Sequence, residues 1–304
     1  MKRSLILIVV LVVLLGLYWL VQSKRPVVSA DRPFVKCDSA AVSLLRVEAA
    51  PDTVELMKEG DNWILVRPLR YPAATRTVAS AVGRFKQMQK LSMVTDRVER
   101  ASEFQVDDVS GTKVTVGQGN KRQTFYLGKA GPTASTCYAR MEGSNEIWEI
   151  AGSHASTFKR KAKDWRDKTI TELNQADIRK ITLKYPDQTV SLVLEDTTWK
   201  ISAGALKFDG EKGLVDRLTG LLSRMSGVDF ADTLAPNAFD KPDLDLTAEM
   251  ADGTTVDLKL IPKDEKAEQY FLRKAGASAD FVIYKSTANV LMKKGEDFRS
   301  KPEG

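Results

Sequence analysis

One histidine, two cysteines and a few acidic and basic clusters are the residues through which this 304-residue chain could do chemistry. A catalytic His154 would need a nucleophile and an orienting acid within hydrogen-bond reach. Its context, Gly152-Ser153-His154, instead reads as a helix start capped by Ser153, and no Gly-x-Ser-x-Gly elbow occurs. Metal chemistry is no better served. There is no Cys-x-x-Cys and no His-Glu-x-x-His, and a lone histidine cannot build a histidine-rich zinc site. Gly117-Gln118-Gly119 lacks the third glycine of a dinucleotide fingerprint, and Gly128-Lys129-Ala130-Gly131-Pro132 lacks the Gly-Lys-Ser/Thr ending of a phosphate loop. Both read as turns. The clusters Asp107-Asp108 and Asp243-Leu244-Asp245 could supply two carboxylates about 5–10 Å apart for glycoside hydrolysis. They flank strand starts, where solvated turn residues are the simpler reading. The expectation is a chain without catalytic, cofactor-binding or metal-binding residues, and so not an enzyme.

Two other features carry more. Cys37 and Cys137, if paired, would close a loop of about 100 residues, worth about 4–5 kcal/mol through chain entropy; otherwise they are two separate thiols. Lys159, Arg160, Lys161, Lys163, Arg166 and Lys168 crowd six cations into ten residues. On a helix they would cover most of the circumference apart from a Phe158/Ala162/Trp165 stripe. This is the candidate interaction patch. It reads as a solvated face, or as a contact for anionic lipid headgroups, an anionic glycan or an acidic protein. The net charge of +6 suits any of these, but no nucleic-acid-binding motif accompanies it.

The elements that must position these residues begin with an apolar run. Leu5–Val21 is uncharged and follows Lys2 and Arg3. As a helix it extends about 26 Å at ~1.5 Å per residue, close to a hydrocarbon core. Tyr18 and Trp19 fall where an interfacial aromatic belt belongs. The run exceeds the usual core of a cleaved signal, and Lys24 and Arg25 separate it from the small residues Val28-Ser29-Ala30. Residues 1–21 are therefore expected to be an uncleaved signal anchor, single-pass in the inner membrane. The body is expected in the periplasm or extracytoplasmic space, although flanking charge alone does not orient it. Residues 22–43, with Pro26 and Pro33, read as a linker.

Beyond the linker the chain repeats itself. KDWRDK, around Trp165, returns as EDFRSK, around Phe298. At a shift of 133 Tyr138 meets Phe271, Arg140 meets Arg273, and Gly143 meets Gly276; at 142, SGTKVTV from Ser110 meets DGTTVDL from Asp252. At 136 Val54 meets Val190, Leu56 meets Leu192, and Trp63 meets Trp199. Changes of shift are what loop insertions leave behind. Two units result, 44–170 and 178–301. In each, alternating apolar residues predict strands, followed by an amphipathic helix (Val78, Val82, Phe85, Met88 and Leu91; Leu214, Leu218, Leu221 and Met225). More strands follow, and then a short helix with Ser153 or Ser286 at its N-cap. The fold class is α+β, mainly antiparallel sheet with helices on one face. Trp63, Trp199, Trp165, Phe298, Arg299 and Lys301 are the structural signature. The two aromatics of the closing phrase are expected to pack back on their units, and the cations to favour a helix carboxyl end.

Together these features resemble a bacterial family labelled as a domain of unknown function: an amino-terminal Met-Lys-Arg anchor, strands turning at Gly60-Asp61-Asn62-Trp63, a valine-rich helix and a closing Trp165-Arg166-Asp167-Lys168. Ala101-Ser102-Glu103-Phe104 stands where such proteins often carry Ala-Tyr-Gly-Leu. Genes of that family often lie beside ABC-type exporter and gliding-motility-type auxiliary components. The resemblance implies an accessory or scaffold subunit of an ABC-type transport or cell-envelope complex, with protein partners and no established catalytic residues. Two alternatives stand beside it: a periplasmic binding module for an anionic polymer or glycan, and a hydrolase with dispersed carboxylates.

Overall fold

The structure is a computed structural model and describes residues 32–49 and 52–300. The expected membrane span and Lys301 lie outside the described residues. No helix among the described residues is long and apolar enough to cross a membrane.

The chain divides into two units between Trp165 and Arg166. In the first, β1 (Leu44–Ala49), β2 (Asp52–Glu59), β3 (Asn62–Arg67) and β4 (Tyr71–Pro72) lead into α1 (Thr75–Arg84). Then come β5 (Lys90–Thr95), β6 (Thr112–Gln118), β7 (Lys121–Ala130), β8 (Thr136–Met141), β9 (Ile147–Ala151) and a one-turn α2 (Ala155–Phe158). The strands form one sheet in the order β4-β3-β2-β1-β6-β7-β8-β9-β5. The second unit opens with β10 (Thr169–Glu172), then β11 (Ile178–Lys184), β12 (Thr189–Glu195), β13 (Thr198–Ala203), β14 (Leu206–Asp209) and α3 (Lys212–Ser223). After them come β15 (Arg224–Ser226), β16 (Asp229–Phe230), β17 (Leu244–Met250), β18 (Thr255–Pro262), β19 (Gln269–Lys274), β20 (Phe281–Tyr284) and α4 (Lys285–Leu291). Its sheet order is β14-β13-β12-β11-β17-β18-β19-β20-β16. Strand for strand, the two orders are the same, and the paired strands run antiparallel.

Period-two alternation explains the common core. Leu45, Val47, Val54, Leu56 and Leu65 are buried in the first sheet, and Ile181, Leu183, Val190, Leu192 and Ile201 are buried at the matching positions of the second. The turn after the second strand is matched in backbone too. Gly60 has φ +60°, and its counterpart Asp196 has φ +52°. Glycine holds that left-handed conformation without steric cost, while aspartate tolerates it.

Each unit closes its core with the repeated phrase. Trp165 and Phe298 are fully buried. The backbone carbonyl of Trp165 accepts the amide of Ala74, the residue before α1, at 2.8 Å. That of Phe298 accepts the amide of Glu211, the residue before α3, also at 2.8 Å. Each phrase thus covers the start of its unit's main helix and satisfies a donor there. Glu211 adds a side-chain cap, accepting from the amides of Gly213 and Leu214 at 2.8 Å each.

Several expectations shift. The helical stripe of the second unit is Val215, Leu218 and Leu222, because α3 ends at Ser223 and Met225 is buried from β15 instead. In the first, Phe85 opens a 3₁₀ turn after α1, Met88 follows that turn, and Leu91 lies in β5. Neither serine is an N-cap. His154 precedes α2 and receives the amides of Thr157 and Phe158 on its carbonyl, and Ser286 lies inside α4, which Tyr284 precedes. From Arg32 on, the expected linker packs: Phe34, Val35 and Val42 are buried in the first core. The expected end of the first unit, near Ile170, moves upstream because β10 pairs with β15 of the second unit. Helices also do not cover the sheets alone. On the opposite face of the first sheet, the 3₁₀ turn Val98–Phe104 builds a small second cluster from Ala101, Phe104, Val106, Tyr126 and Ile147.

The indole N–H of Trp165 is buried without a partner among the described residues, and the copy carries phenylalanine at that position. Trp165→Phe should therefore cost little, whereas Trp165→Ala and Phe298→Ala should each cost about 3–5 kcal/mol in denaturant unfolding. Asp196→Gly should gain about 0.5–1 kcal/mol by relieving the left-handed backbone.

Candidate functional site

The six expected patch cations do not share a helix. α2 stops at Phe158, Lys159–Lys161 run on as irregular chain, and a 3₁₀ turn spans Ala162–Asp164. Like charges at positions 159 and 163 would be neighbours on a continued helix, which disfavours continuing it. Arg166 and Lys168 belong to the second unit. Arg166 is 3% exposed, pairs with Asp232 at 2.6 Å and lies 3.6 Å from the ring centre of Phe230. Lys168 donates to the carbonyl of Val228 at 3.2 Å. Lys163 is half-buried. Ion pairing and ring stacking replace the helix-dipole role expected for Arg166, and Lys168 binds a backbone carbonyl instead. Arg299 behaves likewise within its own unit, 3.1 Å from Glu296 and 4.4 Å from the ring centre of Phe208.

Three of the six remain together. Lys159, Arg160 and Lys161 line a cavity of about 350 Å³ with Asp52, Ser110 and Thr112. Lys159 and Lys161 are exposed and have no side-chain partner among the described residues, while Arg160 lies over Trp165 at 5.9 Å. The opposing loop is held by Asp107, whose carboxylate accepts from the Ser110 hydroxyl and from the amides of Val109 and Ser110. The Ser110 hydroxyl and those amides lower the Asp107 pKa below the ordinary carboxylate range. Asp108 accepts from the hydroxyl of Tyr126. In the other acidic cluster, Asp245 stands opposite Lys259 and Lys184 across the sheet. Among the described residues no group of three acids, histidines or cysteines could hold a metal ion.

His154 is fully buried. Its Nε2 lies 2.8 Å from the carbonyl of Ala151, and burial lowers its pKa. Gly152 permits this placement, since a Cβ there would lie 2.4 Å from the imidazole. Of the two readings open for Cys37 and Cys137, the structure has the separate one: both are free thiols. Cys137 points from β8 into the first core and Cys37 packs against it, and burial raises both pKa values. Neither thiol is poised as a nucleophile.

The matched arginines Arg140 and Arg273 have a role that spacing alone did not disclose. Arg140 donates to the carbonyl of Val106 at 2.9 Å and stacks on Tyr126; Arg273 donates to that of Pro236 at 2.9 Å and stacks on Phe239. Each ties the backbone of a covering segment to its sheet. Their equivalence was visible in the sequence as a match; the covering turns have no long periodicity to announce them.

A family pattern matches residues 63–249, from the start of β3 through most of β17, and so crosses the boundary between the units. The chain belongs to the family described as Domain of unknown function (DUF4340). No curated protein and no solved structure matches it.

His154 is the chain's single histidine, so its titration is separable from that of the carboxylates below about pH 5. Neutral in the fold, it binds its proton less readily there than in the unfolded chain. Its contribution to stability is full above the ordinary pKa near 6.5 and declines as pH falls toward the lowered native value. Denaturant midpoints between pH 7.5 and 5.5 should fall, with a slope of at most about 1.4 kcal/mol per pH unit. The slope should vanish in His154→Gln.

Proposed function

We propose that this member of the family is a non-enzymatic scaffold subunit of an ABC-type transport or cell-envelope complex. In this reading Leu5–Val21 anchors it to the membrane, and both sheet units lie on the extracytoplasmic side. The observation that supports it best is where the repeated residues go. Trp165, Phe298, Arg140 and Arg273 occupy the same places in both units, and all four stabilise the framework. The lone histidine packs inside the fold, and its Nε2 faces a backbone carbonyl. An adaptor needs rigid, satisfied units and a surface for partners, and two like units on one anchor supply a broad surface. The anchor rests on the apolar run, and the ABC link on the family resemblance.

Affinity purification of the full chain in mild detergent, with subunits identified by mass, tests this reading. Co-purification of an ATP-binding subunit with its membrane partner is the expected result. A monomer carrying an anionic glycan would contradict it and favour a binding module. A carboxyl-terminal reporter active in the cytosol would overturn the placement.

A further inference from the structure

We infer that Lys159, Arg160, Lys161 and the adjoining tip at Val109 form a contact surface for anionic phospholipid headgroups. The inference rests on the anchored reading above. Charge comes first. In a patch that also carries an exposed apolar residue, cations without carboxylate partners are what an interface of headgroups and acyl chains attracts. Lys159 and Lys161 meet that description, and Val109, on the same cavity rim, is 89% exposed.

Among the described residues the second unit carries no such patch. The positions matching Lys159, Arg160 and Lys161 are Met292, Lys293 and Lys294. There Lys294 faces Asp187 at 3.4 Å, and the backbone of Lys293 receives the Tyr185 hydroxyl at 2.7 Å. The tip matching Val109-Ser110 is Ala251-Asp252, whose carboxylate accepts from the amide and hydroxyl of Thr254. A common framework thus carries, in one copy, an apolar-tipped rim where three cations outnumber the carboxylate of Asp52, and in the other a rim whose Lys294 faces Asp187.

Chain geometry agrees. Arg32 and Pro33 join the first sheet at Lys90 and Gln89. In the antiparallel register this is the end at which β1 finishes, β6 begins and β9 finishes. The cavity, lined by Ala49, Asp52 and Thr112, opens at the same end. Eleven residue steps separate Val21 from Arg32, a reach of at most about 40 Å. The chain arriving from the apolar run therefore meets the first unit on the side that bears the cations, within a tether's length of the bilayer.

Lysine acylation footprinting of the full chain tests this, with nanodiscs of phosphatidylcholine alone and of an equal phosphatidylcholine–phosphatidylglycerol mixture. At about fivefold partition per cation, Lys159 and Lys161 should react roughly fivefold more slowly in the mixture, while Lys121, at the opposite end of the sheet, is unchanged. High salt should abolish the difference, since screening shortens from about 10 Å at 0.1 M to about 3 Å at 1 M. Val109→Asp, at an exposed tip, should abolish it too. Equal reactivity in both discs, or protection that survives Val109→Asp, would overturn the assignment. So would equal protection by soluble polyglutamate in phosphatidylcholine discs, which would point to an acidic protein partner. Failure of the anchored reading shows separately, as a chain that does not co-elute with phosphatidylcholine discs. The footprint is then taken with anionic vesicles added, where protection supports the lipid surface and its absence sinks it.

Discussion

An aromatic side chain driven into the core, with its own backbone carbonyl holding the start of a helix, is the contact on which each unit depends. Trp165 does this for α1 and Phe298 for α3. The coupling joins the end of each repeat to its first third, and so adds a further non-local tie to the long-range strand pairings β1–β6 and β11–β17 at the middle of the sheets. Burial of the ring supplies the driving force, and the hydrogen bond fixes the geometry by satisfying a helix-start amide. Because Ala74 has no side-chain cap whereas Glu211 caps its own helix, the first unit relies on the clasp more heavily.

Against this shared frame, differences between the copies become informative. The arginines after the two clasp aromatics diverge: Arg166 pairs with Asp232 and stacks on Phe230, while Arg299 stays with Glu296 and Phe208. The segment before the clasp diverges as well, with exposed cations in the first unit and a lysine facing Asp187 in the second. The clasp aromatics and the matched arginines hold the framework in both units, while the segments beside the clasps differ in exposure and pairing.

Much of this was legible in the sequence because strands repeat every two residues. Val54, Leu56, Trp63 and Leu65 announce two strands, and the Gly60-Asp61 turn joins them in place. The phrase around Trp165 was readable as a closing element, but its hydrogen bond to Ala74 was not, since a backbone contact between distant residues leaves no mark in side-chain pattern. The cationic run misled because Phe158, Ala162 and Trp165 fall at helical spacing although the helix ends at Phe158. Cysteine spacing carries no distance information, and Cys37 and Cys137 stay apart as thiols on one core. The surviving patch needed three segments distant in sequence to meet at one sheet end, which periodicity within any one of them does not encode.

Amide hydrogen exchange at Ala74 and Glu211 tests the clasp most directly. Both amides should exchange among the slowest in the protein, and Trp165→Ala should accelerate Ala74 while leaving Glu211 protected. An Ala74 amide that exchanges as freely as an exposed loop in the native protein, or one indifferent to Trp165→Ala, would contradict the account.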